Sequence, residues 1–142
     1  MSVKRDNHNN RAIIAGVMES LANGDGRPLL AAMHDDVRWI LEGSTAWSGR
    51  YEGKQAVRDR LLKPLFEQFA TRYRNRAERI IADGDDVVVL CRGYVETVRG
   101  ERYDNSSCYV MTMSDGQIVE LREYLDTALV DRVLAPPVTT PN

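Results

Sequence analysis

The sequence predicts an α+β domain in which three N-terminal helices are followed by a meander of long antiparallel strands. Two observations lead to this class. Apolar residues recur at helical spacing in three segments before Phe69, and from Thr71 onward apolar and polar residues alternate in long runs separated by Gly-containing turns. With 142 residues, 43% of them hydrophobic, the chain is long enough for one domain with a substantial core. We expect residues 1–142 to form this domain, with an ordered part from about residue 10 to residue 134.

The three helices follow from apolar stripes and from residues that favour helix ends. Asn10 can cap the first helix, which is expected to end near Gly24. Pro28 suits the first turn of a short second helix. The third helix is predicted over residues 54–69, and Pro64 is expected to kink it because proline lacks the N–H of a helical hydrogen bond.

A strand precedes the third helix and ends in a polar loop. Residues 37–41 alternate around Trp39 as a strand does, and residues 43–53 are rich in Gly and Ser. This loop carries Trp47 and Tyr51. Two large aromatic side chains in a short polar loop either form a rim over a cavity or anchor the loop in the core, and we slightly favour the rim.

The first strand of the meander is predicted to carry a strongly cationic face, because Arg72, Arg74 and Arg76 share one parity. A phosphate-binding role is one interpretation, but we favour a solvated face that pairs with neighbouring acids. The opposite face of the same strand holds Tyr73, Asn75 and Ala77.

The last strand contains the one charged residue that interrupts an apolar face. Three further strands are predicted over residues 87–98, 103–113 and 117–127. In the last of them Val119, Leu121 and Leu125 share one face, and Glu123 falls on that face as well. A carboxylate is costly to bury unless it is paired or protonated, so Glu123 is either structurally paired or functional.

Turn lengths predict the neighbours of Glu123, since they set the strand register. A three-residue turn at residues 114–116 would place Ser107 opposite Glu123, and a two-residue turn at residues 99–100 would place Arg92 opposite Ser107. Arg92 and Glu123 would then start about 10 Å apart at the backbone, which two long side chains can bridge.

Two interpretations of this row are open. In the functional one, Arg92, Asn105, Ser107 and Glu123 are the polar groups of a cavity and orient a ligand. In the structural one, Arg92 and Glu123 form a satisfied buried ion pair that fixes the register. Asn105 and Ser107 favour the functional interpretation, because a strand that faces only a packed core usually presents apolar side chains. The rest of the cavity lining would come from Trp39, Tyr94, Leu121 and Leu125.

Composition and charge argue against several classes of function. The net charge of −2 and the sequence pI of about 5.7 give no cationic field for nucleic acid or for an anionic membrane. The N-terminal segment lacks the apolar core of a secretory signal, and no run approaches the roughly 20 apolar residues of a membrane span, so we expect a cytoplasmic protein. Cys91 and Cys108, which the predicted register places opposite each other, lack metal-ligand spacing and are interpreted as thiols.

Several motifs resemble a known family. The order of the helices, the W-S-G-R-Y-E-G loop, the hairpin residues G-E-R-Y-D-N and above all the run D-G-Q-I-V-E-L-R-E-Y-L-D-T are similar to the SnoaL-like branch of the nuclear transport factor two-like superfamily. The resemblance extends from about Arg11 to Leu134. It implies a strongly curved, mixed or antiparallel sheet wrapped against three helices into a cone with a hydrophobic pocket, a cystatin-like roll. It also implies a homodimer formed through the sheet face.

The resemblance assigns only part of a catalytic site. The superfamily includes ketosteroid isomerase, polyketide cyclases, scytalone dehydratase, limonene epoxide hydrolase and members without catalysis. Glu123 matches the second Asp of the R-D-Y-F-D run of limonene epoxide hydrolase, an acid/base, whereas Arg92 falls where that enzyme has its other catalytic Asp. The catalytic side chains of ketosteroid isomerase are replaced, since their positions fall near Leu41, Val17 and Ser107 or Cys108.

These observations lead to three hypotheses. The first is an isomerase, cyclase or dehydratase without metal or organic cofactor, in which Glu123 transfers protons and Arg92 holds an oxygen of a small hydrophobic, oxygenated molecule. The second is a non-catalytic binding protein of the same fold. The third is an association module whose dimerising sheet face is the function. The predicted ligand-binding residues are Trp39, Trp47, Tyr51, Tyr94, Asn105, Ser107, Leu121 and Leu125.

Overall fold

The computed structural model describes residues 3–138, with side chains from residue 9 onward. The predicted α+β class is confirmed: helices pack on one face of a mixed sheet of six strands in this part of the chain, and the sheet does not close into a barrel. None of the helices in residues 3–138 is both long and apolar enough to cross a membrane. The core lies between the helices and the inner face of the sheet and includes Ile14, Met18, Leu61, Met111 and Leu121.

The first two helices bring the chain to the start of the sheet. The first helix, Val3–Ala22, begins before the predicted cap at Asn10, so that prediction was wrong. Asn10 lies inside the helix, and its side-chain amide donates a hydrogen bond to the carbonyl of Gly84 at 3.3 Å. The second helix, Arg27–Ala32, has Pro28 in its first turn, as predicted.

The third helix covers residues 54–66 and contains a π-helical turn. Its three parts are α-helical Lys54–Ala56, π-helical Val57–Leu62 and α-helical Lys63–Phe66. The N–H of Lys63 donates to the carbonyl of Arg58, which is the wider spacing of a π-helix. The helix is therefore irregular in the turn that precedes Pro64, the residue at which a kink was predicted.

The sheet places the last strand between the first and the fifth. The strands are β1 (Met33–Leu41), β2 (Gly49–Glu52), β3 (Arg74–Asp83), β4 (Asp86–Tyr94), β5 (Ser106–Ser114) and β6 (Gln117–Leu125). Their order is β2-β1-β6-β5-β4-β3. β1 and β6 run parallel, whereas the other neighbours are antiparallel. The C-terminal helix, Thr127–Val133, follows β6.

The loop predicted over residues 43–53 contains the edge strand β2. Tyr51 on β2 pairs with Trp39 on β1, and the Tyr51 hydroxyl donates to the carbonyl of Trp47 at 2.7 Å. Trp47 and Tyr51 are only 2% and 8% exposed. The prediction of an exposed aromatic rim was wrong, because both side chains anchor this segment in the core.

The connection from β4 to β5 contains a three-residue turn instead of the predicted two-residue turn. The N–H of Thr97 donates to the carbonyl of Glu101 at 2.8 Å, and Gly100 takes the left-handed φ of +83° that the turn requires. The additional turn residue shifts the pairing by one position, so Arg92 lies opposite Ser106. A shift of one residue moves Arg92 to the outer face of the sheet.

The register between β5 and β6 differs from the predicted one by two residues, for two reasons. The turn contains only residues 115–116, with φ of 49° and 78°, as in a type I′ hairpin. A bulge at Val119 then shifts the pairing by one further residue. Ser107 lies opposite Leu125 instead of Glu123, but a shift of two residues leaves Ser107 and Glu123 on the same face.

We predict that Gly93→Ala lowers the free energy of unfolding by about 1–3 kcal/mol, because the new methyl group overpacks the interior. A Cβ at position 93 would lie 2.9 Å from Cε2 of Tyr73 and would displace that ring. Urea denaturation measures the change.

Gly16→Ala is the matched control for this substitution. A Cβ at position 16 meets no atom within 4 Å, and alanine stabilises a helix interior by roughly 0.5–1 kcal/mol relative to glycine. A Gly93→Ala protein as stable as wild type would contradict the packing of Tyr73 on β4.

Candidate functional site

A cavity of about 460 Å³ lies between the inner face of the sheet and the helices. Its wall is largely apolar and includes Leu29 from the second helix, Leu61 from the third helix and Leu134 after the C-terminal helix. The exposed lining residues belong mostly to the second and third helices, so the cavity opens between them. They include Arg27, Arg58, Asp59, Lys63 and Phe66.

Glu123 is the buried carboxyl group of this cavity. Its side chain is 8% exposed and is held by two hydrogen bonds, one to each oxygen. The indole Nε1 of Trp39 donates to Oε1 at 3.2 Å, and the Ser107 hydroxyl donates to Oε2 at 3.1 Å. Because Trp39 lies on β1 and Ser107 on β5, both strands that flank β6 orient the carboxyl group.

Burial raises the pKa of Glu123 from its usual 4.5 to about 7. The hydrogen bonds from Ser107 and Trp39 act in the opposite direction, because they stabilise the carboxylate, but desolvation is the larger effect. Near neutral pH the side chain is therefore present in both protonation states. A carboxyl group of this kind can accept or donate a proton.

A second polar group of the wall lies on β3 and β5. Asn75 is 1% exposed, and its Nδ2 donates to the hydroxyl of Tyr109 at 3.0 Å. Among the described residues, the Oδ1 of Asn75 has no hydrogen-bond partner. Tyr73 lies beside this pair, and burial raises the pKa of both tyrosines, so their hydroxyls stay protonated in the physiological range.

Asn105 lines the cavity as predicted, but its amide is occupied by backbone and side-chain partners. Nδ2 donates to the Tyr103 hydroxyl at 3.2 Å and to the carbonyl of Asp126 at 3.1 Å, and Oδ1 accepts from the N–H of Asp126 at 3.0 Å. Asn105 therefore holds the end of β6 and positions the Tyr103 hydroxyl. Burial raises the pKa of Tyr103, which keeps this phenol neutral.

The prediction that Arg92 faces Glu123 was wrong. Arg92 is exposed on the outer face, where its guanidinium lies 6.0 Å from the ring centre of Tyr94. Tyr94 is 40% exposed on that face and is not part of the cavity wall. The reason is the single-residue shift in the turn before β5, which reverses the facing of every residue of β4.

The same shift corrects the prediction for the cysteines. Cys91 lies opposite Ser107 and is buried on the inner face, whereas Cys108 lies opposite Leu90 on the outer face. Burial raises the pKa of the Cys91 thiol to about 12, so it carries no charge at neutral pH. Within residues 9–138, no group of three or more His, Cys, Asp or Glu side chains could hold a metal ion.

The remaining predicted binding residues divide between the cavity and the core. Trp39, Ser107 and Leu125 line the cavity, as does Trp47. Leu121 and Tyr51 are buried in the core and are not among the lining residues. The lining residues that the prediction missed are mainly Tyr73, Asn75, Tyr103 and Tyr109. Strand parity could have identified them. Tyr103 and Tyr109 share the parity of Ser107, and Tyr73 and Asn75 have the parity opposite to that of the arginine face.

The C-terminal segment closes one side of the cavity. The side-chain amide of Gln68 donates to the carbonyl of Ala135 at 3.0 Å and accepts from its N–H at 2.9 Å. The indole of Trp47 donates to the same carbonyl at 2.9 Å. These bonds hold the neighbouring Leu134 in the cavity wall.

A sequence profile described as the SnoaL-like domain matches residues 14–121 of the chain. No curated protein sequence matches it. Among solved structures, a proposed SnoaL-like polyketide cyclase from Jannaschia sp. CCS1 is 21% identical, with a TM-score of 0.74 over 90% of this chain and 92% of that chain. A protein of unknown function from Burkholderia pseudomallei K96243, described as nuclear transport factor two-like, is 24% identical, with a TM-score of 0.77 over 88% and 96% of the two chains.

A third similar structure is that of TerC co-crystallised with polyporic acid. It is 23% identical to this chain, with a TM-score of 0.74 over 88% of this chain and 97% of that chain. At these identities the likeness shows the fold alone. It confirms the nuclear transport factor two-like fold that the sequence motifs implied.

We predict that Glu123 makes the free energy of unfolding fall by about 2–3 kcal/mol between pH 5 and pH 8. Its folded-state pKa of about 7 lies above the unfolded value of 4.5, so folding favours the protonated form. The stabilisation is complete below pH 4.5 and is lost as the pH rises through 7. Urea denaturation at several pH values measures this slope.

Glu123→Gln should remove this part of the pH dependence, since glutamine does not titrate. Its Oε1 can still accept from Trp39, and its Nε2 can donate to the Ser107 hydroxyl in place of the bond that the carboxylate accepts. The control is Glu120→Gln, on the same strand, where the carboxylate pairs with Arg38 at 3.3 Å near the surface. If both variants kept the wild-type slope, the burial of an ionisable group at position 123 would be contradicted.

Proposed function

We propose that this protein, which belongs to the SnoaL-like domain family, is an isomerase or cyclase. It would transfer protons on a small hydrophobic, oxygenated molecule that binds in the cavity. The observation that carries the proposal is the Glu123 carboxyl group in an apolar wall, with a pKa raised to about 7. The reaction class requires no oxidant or reductant. We propose that it also proceeds without metal or organic cofactor.

In the proposed reaction, Glu123 removes a proton from a carbon atom next to a carbonyl group. In an isomerisation, the carboxylic acid then returns the proton to a different carbon atom, so that a double bond moves. In a cyclisation, the carbanion attacks a second carbonyl carbon of the same molecule, a ring C–C bond replaces the π bond of that carbonyl, and its oxygen takes the proton from the acid. Both routes restore the Glu123 carboxylate. Trp39 and Ser107 orient the carboxyl group for this transfer. A pKa near 7 suits such a residue, because both protonation states occur at the pH of the cell.

The developing negative charge on the carbonyl oxygen needs a hydrogen-bond donor. We assign this role to the Tyr103 hydroxyl, because its oxygen accepts from Asn105 while its own proton remains available for donation. Arg92, the donor predicted from the sequence, has no part in the proposal, since it lies on the other side of the sheet.

The comparisons support a ligand of this class without naming it. One similar structure is a proposed polyketide cyclase, and another was crystallised with polyporic acid. The cavity volume of about 460 Å³ is within the range for small-molecule sites. The substrate proposed here is therefore a compact ring compound with a carbonyl or hydroxyl group.

We predict that the protein catalyses exchange of the α-protons of 1-tetralone with D₂O, followed by NMR. The rate should increase with pH through about 7 as Glu123 ionises. Glu123→Gln should lower the protein-dependent rate by at least about 100-fold, the lower range for a lost acid/base group.

Glu120→Gln is again the control and should keep the wild-type rate, because its carboxylate lies on the outer face of β6. Exchange by Glu123→Gln at the wild-type rate would disprove the catalytic assignment. Absence of exchange in the wild type, with tight binding of ring compounds, would favour the alternative below.

The alternative is a binding protein of the same fold. A specific observation favours it: among the described residues, Glu123 is the one buried carboxyl group of the cavity wall. In this case the carboxyl group would only hold a ligand hydroxyl. Binding would then persist in Glu123→Gln, and neither protein would catalyse exchange.

We further propose that the protein forms a homodimer through the outer face of the sheet, in the cytoplasm. Leu90, Cys108 and Tyr124 form a row across β4, β5 and β6 on that face. Leu90 and Tyr124 are 40% and 49% exposed, and Tyr94, four residues further along the same face of β4, is 40% exposed. An apolar patch of this kind on a sheet is typical of an interface.

We predict that Leu90→Glu shifts the protein from dimer to monomer, because the charge would be desolvated in the interface. Analytical ultracentrifugation measures the change in mass. Val98→Glu is the control, since Val98 is 63% exposed but lies in the turn before β5. A wild-type protein that is monomeric at micromolar concentration would contradict the dimer.

A further inference from the structure

The cavity contains a buried hydrogen-bond acceptor that the proposed reaction does not use. Asn75 lines the cavity and is 1% exposed, and its Oδ1 has no partner among the described residues. Buried side-chain oxygens in folded proteins nearly always have a hydrogen-bond partner. An exception in the wall of a ligand-sized cavity indicates that the partner is supplied by the ligand.

One end of the Asn75 amide is hydrogen-bonded to a neighbouring side chain. Nδ2 donates to the hydroxyl of Tyr109 at 3.0 Å, so Oδ1 is the amide atom left for another partner. The Tyr109 ring packs edge-on against Trp39, with ring centres 6.2 Å apart, which holds the hydroxyl in place. Asn75 therefore presents a preorganised acceptor.

Asn75 and Glu123 lie at separate points of the cavity wall. They are on β3 and β6, and because β4 and β5 lie between these strands, the two strands are about 14 Å apart across the sheet. The two residues are also offset along the strands, because Asn75 lies opposite Gly93 whereas Glu123 lies in the row of Tyr109. The ring of Tyr109 lies between them, because Tyr109 pairs with Glu123 in register while its hydroxyl reaches Asn75. The cavity wall therefore has a polar side chain at each of two places, Asn75 and Glu123, with the aromatic ring of Tyr109 between them.

We infer that Asn75 is a ligand-binding residue, and that it accepts a hydrogen bond from a ring hydroxyl at the end of the ligand remote from Glu123. The inference rests on the proposed function, since it assumes that an oxygenated ring compound occupies the cavity. It narrows the ligand class to flat compounds of two or three fused rings with oxygen functions at opposite ends. A ketone or ether at the remote end lacks the proton that Asn75 needs.

The test is a series of probes that differ only at the remote position. The wild-type protein is titrated with 2-naphthol, 6-methoxy-2-naphthol, 2,6-dihydroxynaphthalene and 2,6-dihydroxyanthracene, and naphthol or anthracene fluorescence reports binding. At least one of the two diols should bind about tenfold more tightly than 2-naphthol, the upper range for one hydrogen bond. The methoxy compound should show no such gain, because it can only accept.

Asn75→Leu should remove the preference for the diol while leaving the affinity for 2-naphthol within about twofold. Leucine has nearly the same shape, and the retained binding of 2-naphthol reports an intact cavity. Asn10→Leu is the matched control, because Asn10 is also a buried asparagine but bonds to Gly84 away from the cavity. This control should keep the wild-type preference.

The outcomes separate this inference from the proposed function. If 2-naphthol bound in a way that depended on Glu123 but the diols bound no more tightly, the role of Asn75 would be disproved and the proposed function would stand. A preference for the methoxy compound over the diol would also overturn the inference, because the amide would then be a donor. If no probe bound, the proposed function and the inference would both be overturned.

Discussion

The interior of this protein depends on the burial of one carboxyl group in the middle of its sheet. Glu123 accepts hydrogen bonds from Trp39 on β1 and Ser107 on β5, and its backbone carbonyl accepts from the N–H of Glu42 at 2.9 Å, just beyond β1. Loss of a partner would leave a buried oxygen unsatisfied, at a cost of about 1–3 kcal/mol. The parallel pairing of β1 with β6 and the orientation of the candidate acid/base therefore depend on the same residue. A substitution at Glu123 would therefore affect both the proposed proton transfer and the packing of β1 against β6.

The sequence was sufficient for the fold class and for the position of Glu123, and parity explains why. Hydrophobic alternation identifies the face of a strand without knowledge of its partner, so the prediction that Glu123 faces inward did not depend on any turn. The prediction of the residues next to Glu123, in contrast, depended on the lengths of the turns. Ser107 was predicted two positions away from its true register and still lies on the correct face, whereas Arg92 was one position away and lies on the opposite face.

The errors arose where local patterns allow more than one structure. Two-residue and three-residue turns both favour glycine, so the residues around Gly100 did not reveal the extra position. The bulge at Val119 left no signal that a search for alternation could detect. The rim interpretation of Trp47 rests on its place in a short polar loop, whereas its burial depends on Ala135 far along the chain. Asn75 was assigned to the correct face, but a missing hydrogen-bond partner is a property of the folded cavity alone.

The parallel pairing of β1 with β6 also affects the order in which the protein can fold during synthesis. Trp39 and Glu123 are 84 residues apart, so the ribosome needs roughly 4 to 17 s to produce the second after the first at ordinary elongation rates. During this interval β1 has β2 as a neighbour on one edge and no partner on the other, and its apolar residues are uncovered. An unpaired strand edge of this kind promotes aggregation. We therefore expect the uncovered edge of β1 to promote association of nascent chains until β6 has emerged, although the finished domain is small.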